Sequence, residues 1–366
     1  LTGHSAPVNA AAYSPDGKRI VTAGDDQVAI VWDAAGGTRL RRLEGHSAPV
    51  NAVSFSPDGK TIVTVSDDRT AIVWDAATGA QLRRLTGHRG PVTIAAFSSD
   101  GMNIITASAD QTARIWDAAT GQERGRLTGH EGIITSAVYS LDGSSIVTAS
   151  DDQTARIWDA VPRNGTRLLE GHSGSVYSAV YRLDGKSIVT ASDDQTARIW
   201  NAATGEEAGA PIDGGEAIWF AAFSPDGSNI ITAGEDGTAR TWDAGTGEEL
   251  HQFAGHDGPV NTAAFSPDGK TIVTASGDRT ARVWDAATGE VLRQLEGHTD
   301  SVSSALLSPD GKAIVTASMD QTARIWDAAT GHQLQELAGH EGQVSWAAFS
   351  PDGTLVVTAG EDGTAR

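Results

Sequence analysis

An all-β fold built from repeated four-stranded antiparallel sheets is what this 366-residue sequence predicts. Three observations carry the prediction. The tetrapeptide SPDG, or a close variant, starts at residues 14, 56, 98, 140, 182, 224, 266, 308 and 350, always 42 residues apart. Residues 146–158 and 188–200 both read IVTASDDQTARIW, letter for letter. Each copy alternates short apolar, β-branched runs with Pro, Gly and Asp, and none has a helical period. The repeat therefore sets the organisation, overriding the two or three domains that length alone suggests.

Residues 45–85 show the elements in order. VNAVSF (50–55) is an apolar first strand, and SPDG (56–59) is a turn with Pro and Gly at turn positions. TIVTV (61–65) is the second strand and SDDR (66–69) a polar reversal. TAIVWDA (70–76) is the third strand, ATGA (77–80) a turn, and QLRRL (81–85) a fourth, more polar strand. Four strands per repeat suit a propeller blade or a coil of a β-solenoid. Four antiparallel strands joined by tight turns rarely form a solenoid coil, so the propeller is the better match. Eight repeats of 42 residues leave 30 of the 366, most of a ninth. Nine blades lacking part of one outer edge leave the fewest strands unpaired, which matters because open edges invite association. Eight or seven blades with extra repeats stay open as alternatives.

Two further signatures share the frame. Gly-His starts at 3, 45, 87, 129, 171, 255, 297 and 339, with Asp213-Gly214 in the remaining slot. Trp-Asp starts at 32, 74, 116, 158, 242, 284 and 326, with Trp200-Asn201 in repeat five. Carried together, Gly-His, SPDG and Trp-Asp resemble the WD40-repeat family over essentially the whole chain. The resemblance implies a single β-propeller over residues 1–366, with blades around a central channel. It also implies that His, Thr, Asp and Trp form a hydrogen-bond chain inside each blade. Residue by residue these are His46, Thr64, Asp68 and Trp74 in repeat two, and His88, Thr106, Asp110 and Trp116 in repeat three. The other repeats carry the same set, except that Gly214 replaces the histidine of repeat six and that the ninth keeps only His340, Thr358 and Asp362.

A histidine, an aspartate and a threonine invite a catalytic reading, with threonine as nucleophile. An active site is normally single, however, and this set recurs in nearly every repeat, so no catalytic residue is assigned. The DDQT and EDGT turns lack the alternating oxygen ligands of a calcium loop, so no metal site or cofactor is expected. Cysteine is absent, which excludes disulfides and zinc–thiolate sites. The net charge of −20 argues against nucleic acid and anionic membrane surfaces as partners. Of 47 acidic residues, 25 stand at three repeating positions where turn architecture explains them. Arginines two residues before most of the tryptophans read as a solvated basic stripe, or else as cation–π partners of the indole.

Positions that differ between repeats are where recognition can reside. The slot five residues after the Gly-His histidine reads Asn9, Asn51, Thr93, Thr135, Tyr177, Trp219, Asn261, Ser303 and Ser345. The resemblance implies that partners bind the face carrying this slot. Tyr177 and Trp219 are therefore the candidate anchors of a protein or peptide partner, with Asp193, Glu235 and Ser175 beside them. The neighbouring run GEEAGAPIDGGEAIWF (205–220) departs most from the repeat, and its missing histidine is expected to leave Thr232 and Asp236 short of a partner. Against this stands simple drift, with Trp219 filling the gap left by the imidazole. Trp346 is expected to be buried at a seam; His251 and His332 are expected on solvated outer strands. The expected function is a non-catalytic interaction or sensing scaffold. The repeat, as in TASADQTARIWDAATG (106–121), is similar in style to propellers of bacterial multidomain signalling proteins, which implies a cytoplasmic piece of a longer chain; Leu1 in place of Met agrees. The alternatives are a structural or designed symmetric propeller without ligand, and a hydrolase using acidic groups at the channel mouth.

Overall fold

The computed structural model describes residues 1, 3–160 and 166–366 and is all-β, with no helix among the described residues. Two compact bodies form. One comprises Leu1–Asp152, Arg156–Leu168 and Ser350–Arg366; the other comprises Gln153–Ala155 and Leu169–Phe349.

Repeats one to four each build a four-stranded antiparallel sheet in simple meander order, the first three wholly within the first body. Repeat two is typical, with strands Val50–Phe55, Thr61–Ser66, Thr70–Asp75 and Gln81–Thr86. The burial pattern follows from the composition. TIVTVS is buried at all but its first residue, because a strand covered on both faces needs apolar side chains throughout. QLRRLT is exposed except at Leu85, as an edge strand should be. Sheets pack face to face through these side chains. Val21, Ala23, Val31 and Leu43 of repeat one share a core with Val53, Phe55, Ile62 and Trp74 of repeat two. Each fully buried Val, Ile or Leu contributes roughly 1.5–3 kcal/mol. Repeat one is covered on its other side in the same way: Val8, Ile20, Ile30 and Trp32 pack with Val357, Ala359 and Ala365, and Leu1 lies against them.

The second body repeats the plan in repeats five to eight, and the strand Val344–Phe349 follows. Repeat five alone has a stunted outer strand, Ile212–Asp213. Its register holds nevertheless. Ala197 faces Ile212 as Ala113 faces Leu127 in repeat three, but with one more residue in the intervening chain. Ile212 is 1% exposed, so it fills the core slot that leucine fills elsewhere.

The turns explain most of the repeating acids. Ser56 Oγ donates to Asp58 (2.7 Å), which also accepts the Lys60 amide (3.0 Å). Asp75 accepts the amides of Ala77 (3.0 Å) and Thr78 (2.7 Å), and Asn201 does the same work for Ala203 and Thr204. The residue after each network aspartate adopts the left-handed region. It is Gln or Arg at seven positions, such as Arg69 (φ 68°), and glycine at Gly237 (φ 76°) and Gly363 (φ 76°).

Candidate interaction site

Inside repeat two, His46 Nδ1 donates to Asp68 (2.8 Å) and Nε2 accepts from the Thr64 hydroxyl (2.8 Å), while the Trp74 indole N–H donates to Thr64 Oγ1 (2.9 Å). Repeat three has the same chain through His88, Asp110, Thr106 and Trp116, at 2.8–3.0 Å. The polarity of the chain is set by the indole, which can only donate. Threonine must accept from it and pass its own proton to a neutral imidazole. Burial agrees, pushing the His46 imidazole below its ordinary value despite the pull of Asp68; His4, His88, His130, His172, His256 and His298 are lowered for the same first reason. Burial works against the Asp110 carboxylate, but hydrogen bonds from Thr112, the Arg89 amide and His88 outweigh it and hold the group at about 2. Asp320 is held at about 2 by the corresponding set.

Two members of this chain escape a reading of spacing alone. A second threonine, Thr70, donates to Asp68 (2.7 Å), and Ser66 accepts the Asp68 amide (3.0 Å) while bonding Ala48 O (3.0 Å). Their signal was present as the S-x-D-x-T spacing within the reversal of six repeats, as in Ser66, Asp68 and Thr70.

The arginines before the tryptophans are not a solvated stripe, which corrects the sequence-based expectation. Arg114 is 2% exposed; its guanidinium pairs with Glu123 (2.5 Å), donates to Gly87 O (2.5 Å) and lies 6.0 Å from the Trp116 ring. Gly87 (φ 155°) has a backbone conformation that favours glycine, and a Cβ there would push on Arg114 Nη1 at 2.4 Å and displace the guanidinium. Repeats one and two carry Ile30 and Ile72 in the arginine slot. Their cross-strand partners Arg42 and Arg84 supply the guanidinium to Gly3 O and Gly45 O instead. The cation has exchanged strands while its carbonyl target stayed put.

The recognition slot has a backbone feature that side-chain patterns conceal. In each of repeats one to eight the pairing of the first two strands shifts register at this position, so Asn9, Asn51, Thr93, Thr135, Tyr177, Trp219, Asn261 and Ser303 sit on β-bulges. A bulge releases a side chain from the pleat and re-aims it. Asn9 uses that freedom to donate to Asp25 (2.7 Å) and to Val50 O of the next repeat (3.1 Å); Asn51 does likewise with Asp67 (2.8 Å) and Val92 O (2.9 Å). These side chains are structural rivets.

Repeats five and six put aromatics there. Tyr177 is 36% exposed and its hydroxyl donates to Asp193 (2.9 Å). Trp219 is half-buried at the same register of the adjacent first strand, Ile218–Phe223. The Asp193 amide bonds Ser175 O (3.0 Å) and the Glu235 amide bonds Ala217 O (3.1 Å), so both acidic loops are tied down beside the aromatic strands.

The missing histidine of repeat six has the expected consequence at Thr232, which keeps one side-chain partner, and a different one at Asp236. Asp236 is not left short, because Arg240 pairs with it (2.6 Å) while also donating to Gly214 O (2.9 Å). Thr232 still accepts the Trp242 indole (2.9 Å). A Cβ on Gly214 would lie 2.7 Å from Ile218, so Ile218 closes over the position where an imidazole would be attached. Trp346 is 38% exposed, which corrects the expectation of burial. His251 is half-buried against Phe253 (6.5 Å between centroids), while His332 is exposed just ahead of its strand.

Comparison with known proteins places this geometry in context. A family model of the WD domain, G-beta repeat (WD40), matches residues 1–33, 37–75, 79–117, 121–159, 164–201, 212–243, 247–285, 289–327 and 331–366. Among solved structures, the chain is similar to the crystal structure of the computationally designed Ika8 protein, at 27% identity and a TM-score of 0.70 over 100% of this chain and 96% of that one. No curated protein matches the sequence. With nine matched segments running through almost the whole length, and an all-β fold of four-stranded blades whose indole–threonine–histidine–aspartate chains recur, the protein belongs to the WD40-repeat family and has its β-propeller fold class.

Proposed function

We propose that this WD40 protein is a non-catalytic interaction scaffold that docks a protein or peptide partner at Tyr177 and Trp219, with Asp193, Glu235 and Ser175 around them. One observation carries the reading. The bulged slot holds small polar residues in the other repeats, riveted to the neighbouring strand where they are asparagine, and holds large aromatics only in repeats five and six. Partly exposed Tyr and Trp on a backbone that aims them outward are the usual anchors of interfaces. The His–Thr–Asp sets speak against catalysis, since in repeats one to five, seven and eight the threonine is committed to an indole and the set is shielded from solvent.

A single propeller over the whole chain is part of the proposal, as is a role within a larger cytoplasmic signalling protein; the family resemblance of the repeats supports both. The likeness to a designed protein fits equally well a repeat array with no ligand. One experiment separates the two: capture of binding proteins by the intact chain and by a Tyr177→Ala/Trp219→Ala variant of matched fold. Loss of specific partners in the variant supports docking; identical capture by both removes it.

A further inference from the structure

The chemistry of the partner can be narrowed further, an inference that rests on the docking reading above. We infer that the repeat five–six patch takes a cationic, arginine-bearing peptide segment, with a guanidinium over the Trp219 and Tyr177 rings, answered by Glu235 and Asp193.

The first support is an imbalance of partners. In repeats one, two and five the bulged side chain donates to the acid of the facing loop: Asn9 to Asp25, Asn51 to Asp67, Tyr177 to Asp193. Repeat six breaks the rule. Among the described residues, the Glu235 carboxylate has no side-chain hydrogen bond or ion pair, and Trp219 donates no hydrogen bond. A carboxylate covered by a docked chain needs a donor, because burying an unpaired charge is strongly unfavourable. An aliphatic ligand offers none.

The second support is charge. The loops beside the patch, at 192–196, 213–217, 234–238, 257–259 and 276–280, expose the carboxylates of Asp193, Asp213, Glu216, Glu235 and Asp257 and one cation, Arg279. That field attracts positive segments and repels anionic ones.

Aromatic rings beside acids favour arginine over other cations. A guanidinium is planar, weakly hydrated and able to stack while its edge donates two parallel hydrogen bonds to a carboxylate. Lysine can satisfy the charge but not the plane.

The test uses fluorescence anisotropy of a short labelled Gly/Ser peptide carrying arginines, and of matched peptides with lysine, citrulline or glutamate in their place. Citrulline keeps the shape of arginine and loses the charge. The arginine peptide is expected to bind about tenfold more tightly than the citrulline one, with the lysine peptide between them and the glutamate peptide silent. Tyr177→Ala/Trp219→Ala should weaken arginine binding about tenfold, Trp219→Phe about threefold, and Glu235→Gln several-fold. Glu290→Gln removes an exposed acid elsewhere and should change nothing. Absence of binding, equal binding of arginine and citrulline peptides, or binding that survives loss of both aromatics overturns the inference, the last exposing general attraction to an acidic protein. If captured proteins depend on the aromatics but the arginine peptide does not compete with them, docking stands and the arginine assignment falls. If nothing depends on the aromatics, both fall.

Discussion

Repeats two and six reach the same four-stranded sheet by different polar routes. In repeat two a buried histidine joins strand, loop and reversal: Asp68 to His46 to Thr64 to Trp74. Repeat six has no histidine, and Arg240 reaches Asp236 and Gly214 O from the third strand. The indole–threonine bond is 2.9 Å in both. The difference teaches that the blade keeps its indole–threonine bond and its tethered loop aspartate without an imidazole, with the Thr232 hydroxyl one partner poorer. Freed from the histidine, the loop before Trp219 is one residue shorter between its core anchors than the loop joining repeats three and four, six positions from Ile212 to Ile218 against seven from Leu127 to Ile134.

Acid should break this comparison most visibly. Imidazoles held below the ordinary value of 6.5 bind fewer protons folded than unfolded. Stability is therefore complete above that value and declines as pH falls below it. Carboxylates such as Asp110, held at about 2 against 3.8, add a second loss as pH falls from 3.8 towards 2. Indole N–H signals followed by NMR during titration should show the histidine repeats loosening first, with Trp242 of repeat six persisting. Simultaneous loss of all indole signals would show that the repeats do not respond separately.

Next in size is Thr64→Val, which strips His46 and Trp74 of their shared hydroxyl and should cost about 2–4 kcal/mol. Thr232→Val in repeat six orphans one indole and should cost about half as much; equal shifts in denaturation midpoint would contradict the difference in wiring. Arg240→Gln should follow at about 1–2 kcal/mol, discounted because that ion pair is partly exposed (15% and 18%). The smallest effect is expected from Arg69→Gly. Relief of a left-handed non-glycine residue should stabilise repeat two by up to about 1 kcal/mol. The reverse change, Gly237→Gln, should destabilise repeat six, since a Cβ there meets Gly258 O at 3.0 Å. Thermal melts of the two variants should move in opposite directions.

Much of this was legible from spacing. The four strands of repeat two lie within a residue of where apolar runs and turn residues place them, because strand ends are marked by Pro, Gly and Asp whose turn chemistry is local. The Asp58 and Asp75 turns are likewise local, closing over two or three residues. Other features could not be read along the chain. The arginines looked like surface residues because alternation shows which face a side chain takes and not what covers that face; Glu123 and Gly87 O, supplied from elsewhere in the sheet, bury Arg114.

By itself the sequence determined the repeat, the strands and the turns, since these depend on neighbours a few residues apart and on copying; the polar set, whose members stand 10 to 22 residues apart, was legible only through the family resemblance. Only tertiary structure decided where guanidinium groups would lie, that Ile218 and Arg240 would stand in for a lost imidazole, and that Trp346 would face solvent. It also decided that Tyr177 and Trp219 would ride on bulges. Those outcomes depend on which carbonyl, carboxylate or side chain another strand brings within reach, and that is fixed only when sheets have paired and packed.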